Sequence, residues 1–178
     1  MRRIVVTEFM SLDGVMEEPA WTAPYWNDEI AKFKGEESSA SDALLLGRVT
    51  YGGFAGAWPK RTDEGADYFN NVRKYVVSTT LDTVEWNNST LIKDNIVEEI
   101  TNLKQQDGQD ITVHGSAQLA QTLMQHNLVD LYRLLVYPVV LGKGKRLFEE
   151  GIPATLKLLA SQPFSSGVVA LVYKPERK

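Results

Sequence analysis

The chain has 178 residues, 43% of them hydrophobic and 24% charged, with no cysteine and two histidines. A chain of this length fits one domain that buries roughly two-thirds of its unfolded surface. No disulfide or metal staple is then needed, and thiolate metal sites, cysteine nucleophiles and a histidine-rich metal centre are all excluded. The formal charge of −4 argues against general affinity for nucleic acid or an anionic membrane.

Residues 4–10 read as a buried strand, and Ser11-Leu12-Asp13-Gly14 as the turn that ends it. The apolar run at the start is too short for a signal peptide. The stretch 131–141 is interrupted by Pro138 and falls below a ~20-residue membrane span, so a cytoplasmic protein is expected. Residues 15–25 read as a loop. Asn27 is placed to cap a helix over 28–38, with Asp28 and Glu29 suited to its positive end. Residues 43–46 form a short apolar strand, 47–58 turn into a helix, and 75–77 form another strand. Asn95 followed by Glu98 resembles a capping box ahead of Ile96, Val97, Ile100 and Leu103, and Gly108 stops that helix. Residues 111–113 are a strand and 116–125 a helix with Leu119, Ala120, Leu123 and Met124 on one face. Residues 131–141 and 168–173 read as the last two strands, an antiparallel pair at one sheet edge. The alternation predicts one α/β domain over 1–178, with a mainly parallel central sheet and helices on both faces.

The functional signal is a recurrence. Three apolar strands each run into a turn of small, hydroxyl or basic residues: Gly47-Arg48-Val49-Thr50, Ser78-Thr79-Thr80, and His114-Gly115-Ser116-Ala117. Ligands of open α/β sheets bind outside the carboxyl ends of the strands, where helix starts offer free N–H groups to phosphate. Arg48 is suited to pairing with a phosphate through two nitrogens. Tight steric connection is the competing explanation for Gly47 and Gly115. No Gly-x-Gly-x-x-Gly or P-loop pattern stands at any of the three turns, which disfavours a standard dinucleotide domain or a P-loop nucleotidase.

These turns, with Ser11-Leu12-Asp13-Gly14 and the segment 138–148, resemble the dihydrofolate-reductase superfamily, and especially the C-terminal reductase domain of riboflavin-biosynthesis deaminase-reductases. The resemblance covers essentially the whole chain. It implies a dihydrofolate-reductase-like fold and NADPH as cofactor. It places Gly47, Arg48 and Thr50 at the cofactor phosphates and adenosine ribose, Ser78 and Thr79 at that ribose and its 2′-phosphate, and Gly115, Ser116 and Ala117 at the pyrophosphate. His114 stands where many relatives have a first glycine. Thr80 and Leu81 stand where some have an arginine, so preference for NADPH over NADH rests mainly on Arg48.

The same resemblance places Asp13 and Gly14 at the edge of the substrate pocket and Glu29 at the acidic position of the substrate-binding helix, making Glu29 and Asp13 the catalytic candidates. A turn-forming Asp13 and a solvated Glu29 are the competing readings. Trp26, with Trp21, Tyr25, Phe54 and Trp58, lies near the expected pocket and is suited either to stacking on a flat heterocycle or to packing. The expected activity is NADPH-dependent reduction of a small heterocyclic substrate, most like 5-amino-6-(5-phosphoribosylamino)uracil. Reduction of dihydrofolate and NADPH binding without turnover are the alternatives. A zinc deaminase signature is absent from the sequence, and relatives imply a homodimer.

Overall fold

In the computed structural model of the chain, which describes residues 1–177, eight strands form one sheet in the order β4-β3-β2-β5-β1-β6-β8-β7. The strands are β1 Ile4–Met10, β2 Ser41–Gly47, β3 Arg73–Val77, β4 Ser89–Ile92, β5 Asp110–Val113, β6 Leu131–Val136, β7 Leu156–Pro163 and β8 Val169–Pro175. The first six are parallel, and β8 pairs antiparallel with both β6 and β7. Strands covered on both faces must be apolar throughout, and Ile4, Val5 and Val6 of β1 and 43–46 of β2 are buried accordingly.

Five helices connect the strands: α1 Asp28–Ser39, α2 Arg48–Ala57, α3 Ala66–Asn71, α4 Ile96–Gln105 and α5 Ala117–Gln125. Asn27 caps α1 as its sequence requires, its side-chain oxygen accepting from the Ile30 amide at 3.0 Å. Ile30 and Phe33 turn inward one helical turn apart. In α5, Leu119, Ala120, Leu123 and Met124 are buried together, the apolar face read from their spacing.

Side-chain alternation splits the core by sheet face. Ile4 and Val6, Leu45, Ile111 and Val113 pack against α4 and α5. On the opposite face, Leu44, Leu46 and Val76 pack with Tyr51 of α2, while Leu135 and Ala170 pack with Ile30 and Phe33 of α1. Neighbouring strands β2 and β5 therefore send their following helices, α2 and α5, to opposite faces. A sheet with such a reversal must open a crevice between the carboxyl ends of those two strands.

Four details differ from the sequence reading. The strand from 131 ends at Val136, because Pro138 has no amide to continue the ladder; past Val136 the contact with β1 and the turn after it is kept by Tyr137 N–H donating to the Met10 carbonyl at 2.8 Å and Leu12 N–H donating to the Val139 carbonyl at 2.7 Å. The edge beyond β8 is occupied by β7, whose residues after Leu156 are all exposed and so show no apolar alternation. The capping box at Asn95 does not form: Asn95 takes a left-handed conformation (φ 49°) and its side chain caps nothing. Residues 19–25 of the expected loop coil into a 3-10 turn. No helix among the described residues is long and apolar enough to cross a membrane.

Candidate functional site

The crevice forced by the β2/β5 reversal encloses about 280 Å³, and residues from all three strand ends singled out in the sequence line it. Gly47 and Arg48 come from the end of β2, Ser78 and Thr79 from the end of β3, and Ser116 from the start of α5. Residues separated by some seventy positions are thus brought to one cleft. Thr80, Ile96 and Gln118 also line it, and the sequence assigned none of the three a contact with the cofactor.

Gly47 is the hinge of this arrangement. Its amide donates to the Gly115 carbonyl at 2.9 Å, so the two strand ends are bound to each other. A Cβ built on Gly47 would stand 2.3 Å from the Ser116 Oγ and 2.8 Å from its nitrogen, so any side chain there would push the two helix starts apart. The helix α2 begins at Gly47 without a side-chain cap, leaving its first-turn amides without that acceptor. At α5, the Ser116 Oγ accepts from the Leu119 amide. The cleft thus presents two helix N-termini, the exposed guanidinium of Arg48 and the exposed hydroxyls of Thr79 and Thr80. Uncapped amides, one cation and neutral hydroxyls are the donor set that an anionic phosphodiester needs, and a dinucleotide fits it.

Not every side chain singled out at these turns is free to meet a ligand in the cleft. The buried Ser78 Oγ accepts from the amides of Thr80 and Leu81 at 3.2 and 3.0 Å, so it shapes the turn that displays Thr79. The Ala117 methyl is buried in the core. Thr50 and Gly115 lie together next to the cleft, outside its lining: a Cβ on Gly115 (φ 102°) would meet the Thr50 Oγ1 at 3.0 Å, the Met16 Cε at 3.4 Å and the Glu8 Oε1 at 3.5 Å. The peptide bond from Gly115 to Ser116 is cis. His114 is wedged between the rings of Phe54 and Phe69, and burial lowers its pKa to about 3, so it stands as a neutral imidazole.

Asp13 and Glu29 are both committed to protein partners. Asp13 accepts from the Ser11 hydroxyl at 2.6 Å and from the amides of Gly142 and Leu141 at 2.8 and 3.2 Å, and these bonds lower its pKa to about 2. Gly14 (φ 83°) completes the turn, and the Arg146 Nε donates to the Asp13 carbonyl. Glu29 accepts from the hydroxyl and amide of Ser165, in the β7–β8 turn, at 2.5 and 2.8 Å, which lowers its pKa. Both groups are therefore anions that join distant loops. Trp26 follows the 3-10 turn, is 54% exposed and lies outside the crevice lining. Trp21 and Tyr25 pack edge-on against the buried Tyr137, and Trp58 stacks on Phe69.

Glu8 is the group that sequence reasoning missed. It stands in the apolar run of β1, 7% exposed, and its Oε1 has no hydrogen-bond partner. Burial raises its pKa well above the ordinary range; Lys34 opposes the rise and Glu37 adds to it. The signal was present as one acid inside Ile4-Val5-Val6-Thr7-Glu8-Phe9-Met10.

The sequence profile of the RibD C-terminal domain family matches residues 2–170. The chain is 34% identical over 182 residues to the uncharacterized protein YyaP of Bacillus subtilis (strain 168), covering 97% of this chain and 94% of that one. Among solved structures it is similar to a dihydrofolate reductase from Enterococcus faecalis complexed with NADP(H), with a TM-score of 0.68 at 16% identity over 98% of this chain and 97% of the other. It is equally similar to the deaminase/5-amino-6-(5-phosphoribosylamino)uracil reductase of Thermotoga maritima, with a TM-score of 0.68 at 16% identity, covering 98% of this chain and 56% of that longer one. These two likenesses concern the fold.

Proposed function

We propose that this chain, which belongs to the RibD C-terminal domain family, is an NADPH-dependent reductase of a small heterocyclic substrate, most like 5-amino-6-(5-phosphoribosylamino)uracil. One observation carries the reading: Arg48, Thr79 and Ser116 meet in a single crevice at the starts of two helices. The family and the dihydrofolate-reductase-like fold support it.

A bound reduced nicotinamide would supply a hydride to the substrate. The rest is the work of this chain's own residues. Arg48 and the uncapped amides of α2 hold phosphate charge, and Thr79 stands beside them for the ribose-phosphate end. Gly47 and Gly115 keep the backbone low enough for close approach, and Ser116 with the α5 amides receives the pyrophosphate. Ala117 contributes its amide at the first turn of α5 while its methyl fills the core. Asp13 fixes the turn after β1, beyond which the buried Met16 packs at Gly115. In this proposal Asp13, Gly14, Glu29 and Trp26 frame the substrate side. A homodimer in the cytoplasm belongs to the same proposal.

The test is an assay of NADPH oxidation, followed by loss of reduced-nicotinamide absorbance, with 5-amino-6-(5-phosphoribosylamino)uracil and dihydrofolate as substrates and NADH in parallel. Turnover of the ribosylaminouracil with NADPH is expected. Light scattering gives the mass in solution, and Glu29→Ala and Asp13→Ala report whether those anions act in turnover. Absence of NADPH binding by calorimetry rejects the reading. Binding with no oxidation of either substrate replaces it by a binding module or another substrate.

A further inference from the structure

A buried polar atom in a folded protein ordinarily has a partner, and an exception marks strain, a bound water or a ligand. The Glu8 Oε1 is the one carboxyl oxygen among six such side-chain atoms in the described residues, and Glu8 is 7% exposed. The atom is directed at the side of Gly115 that lacks a side chain, a small recess walled also by the Thr50 Oγ1 and the Met16 Cε. That recess adjoins the crevice: the Gly115 carbonyl accepts from the Gly47 amide and Ser116 follows Gly115 in the chain, and Gly47 and Ser116 both line the crevice.

We infer that Glu8 is a ligand-contacting acid in the recess beside this crevice, a neutral carboxyl that pairs with the carboxamide of a bound nicotinamide. The inference rests on the cofactor reading above and deepens it. A neutral carboxyl offers one O–H donor and one carbonyl acceptor, and a primary amide offers the complementary pair, so the two groups match with no charge left in an apolar wall. A carboxylate would match only half of the amide. The charged groups that Glu8 senses are Lys34 and Glu37, both across the sheet on α1, and burial outweighs them in keeping the acid neutral. An acid is otherwise costly inside a parallel strand, where an apolar residue would serve the fold better.

The test compares wild type, Glu8→Gln and Glu8→Leu in binding two probes by calorimetry: NADPH, and adenosine 2′,5′-bisphosphate, which has the adenosine and 2′-phosphate but no nicotinamide. Glutamine keeps both a donor and an acceptor, so Glu8→Gln should bind NADPH within about twofold of wild type. Glu8→Leu should bind NADPH about tenfold more weakly, and both variants should bind the bisphosphate as wild type does. Wild-type affinity of Glu8→Leu for NADPH overturns the assignment. So does equal loss of both probes, which would mark a structural role, and so does a Glu8→Gln loss as large as that of leucine. A wild-type protein that does not bind NADPH removes the reductase reading itself and this assignment with it. NADPH binding that is indifferent to residue 8 removes the assignment alone.

Discussion

Arg48 carries the cofactor proposal at the level of single residues. Among the described residues it is the one cation in the crevice lining, and its guanidinium is exposed beside the uncapped amides of α2. Charge-assisted hydrogen bonds to a phosphate are about twice as strong as neutral ones. On the proposed reading, Arg48→Ala raises the Kd for NADPH about tenfold and that for NADH less than about threefold, read from quenching of the four tryptophans. Equal losses for both nucleotides would place discrimination elsewhere. Arg48 was legible because an arginine after strand and glycine has few structural uses. Glu8 was not, because one acid in a short strand also marks an exposed face, and only the buried position of β1 between β5 and β6 decides the matter.

Two loops that never meet in sequence are joined at the level of elements. Asp13, in the turn after β1, accepts amides from Leu141 and Gly142, some 128 positions away, and so ties that turn to the loop after β6. Spacing cannot reveal such a pairing, so the sequence leaves Asp13 between a turn former and a catalytic acid, and Glu29 between a solvated acid and a catalytic one. For similar reasons β4, of four residues, α3, of six, and the exposed β7 left no periodic trace, whereas the buried β1, β2 and β5 did. The hydrogen bonds from Ser11, Gly142 and Leu141 hold the Asp13 pKa at about 2, below the ordinary 3.8. A depressed acid pKa means that the unfolded chain binds the proton more readily. The clasp therefore stabilises the fold above pH 4 and loses its effect as the pH falls toward about 2. Asp13→Asn should lower the urea midpoint at pH 6 and match wild type near pH 2. A gap that stays constant across that range would assign the stabilisation to something other than ionisation of this group.

The whole molecule is divided by a polar seam. On the α1–α2 face of the sheet, one apolar cluster lies over β6 and β8 and another over β2 and β3. Between them, the middle of β1 and β5 contributes the buried polar side chains of Thr7 and Thr112, while Phe9 at the end of β1 joins the first cluster. Over them α1 places Lys34 and Glu37, 2.5 Å apart, with Lys34 donating to Thr7 and Arg133 of β6 donating to the other Glu37 oxygen at 3.1 Å. Burial works against ionisation of Glu37, yet Lys34 beside it brings the carboxyl below its usual range. Arg133 also donates to the Phe33 carbonyl and lies over the Phe33 ring, so the seam is anchored to α1 at two successive turns. The two cations share one acid, with the Glu37 side chain 4% exposed and those of Lys34 and Arg133 partly buried. Glu37→Ala leaves both without their counter-charge and should cost about 3–5 kcal/mol, seen as a fall in the urea midpoint at unchanged slope. Replacing the whole group, Lys34→Met with Glu37→Leu and Arg133→Met, removes the desolvation burden together with the attraction and should come within about 1 kcal/mol of wild type. If the triple variant is as unstable as the single one, the seam stabilises through its hydrogen-bond geometry beyond mutual neutralisation. The same triple variant removes Lys34 and Glu37 from the surroundings of Glu8, so its NADPH affinity reports how far the crevice depends on this seam across the sheet.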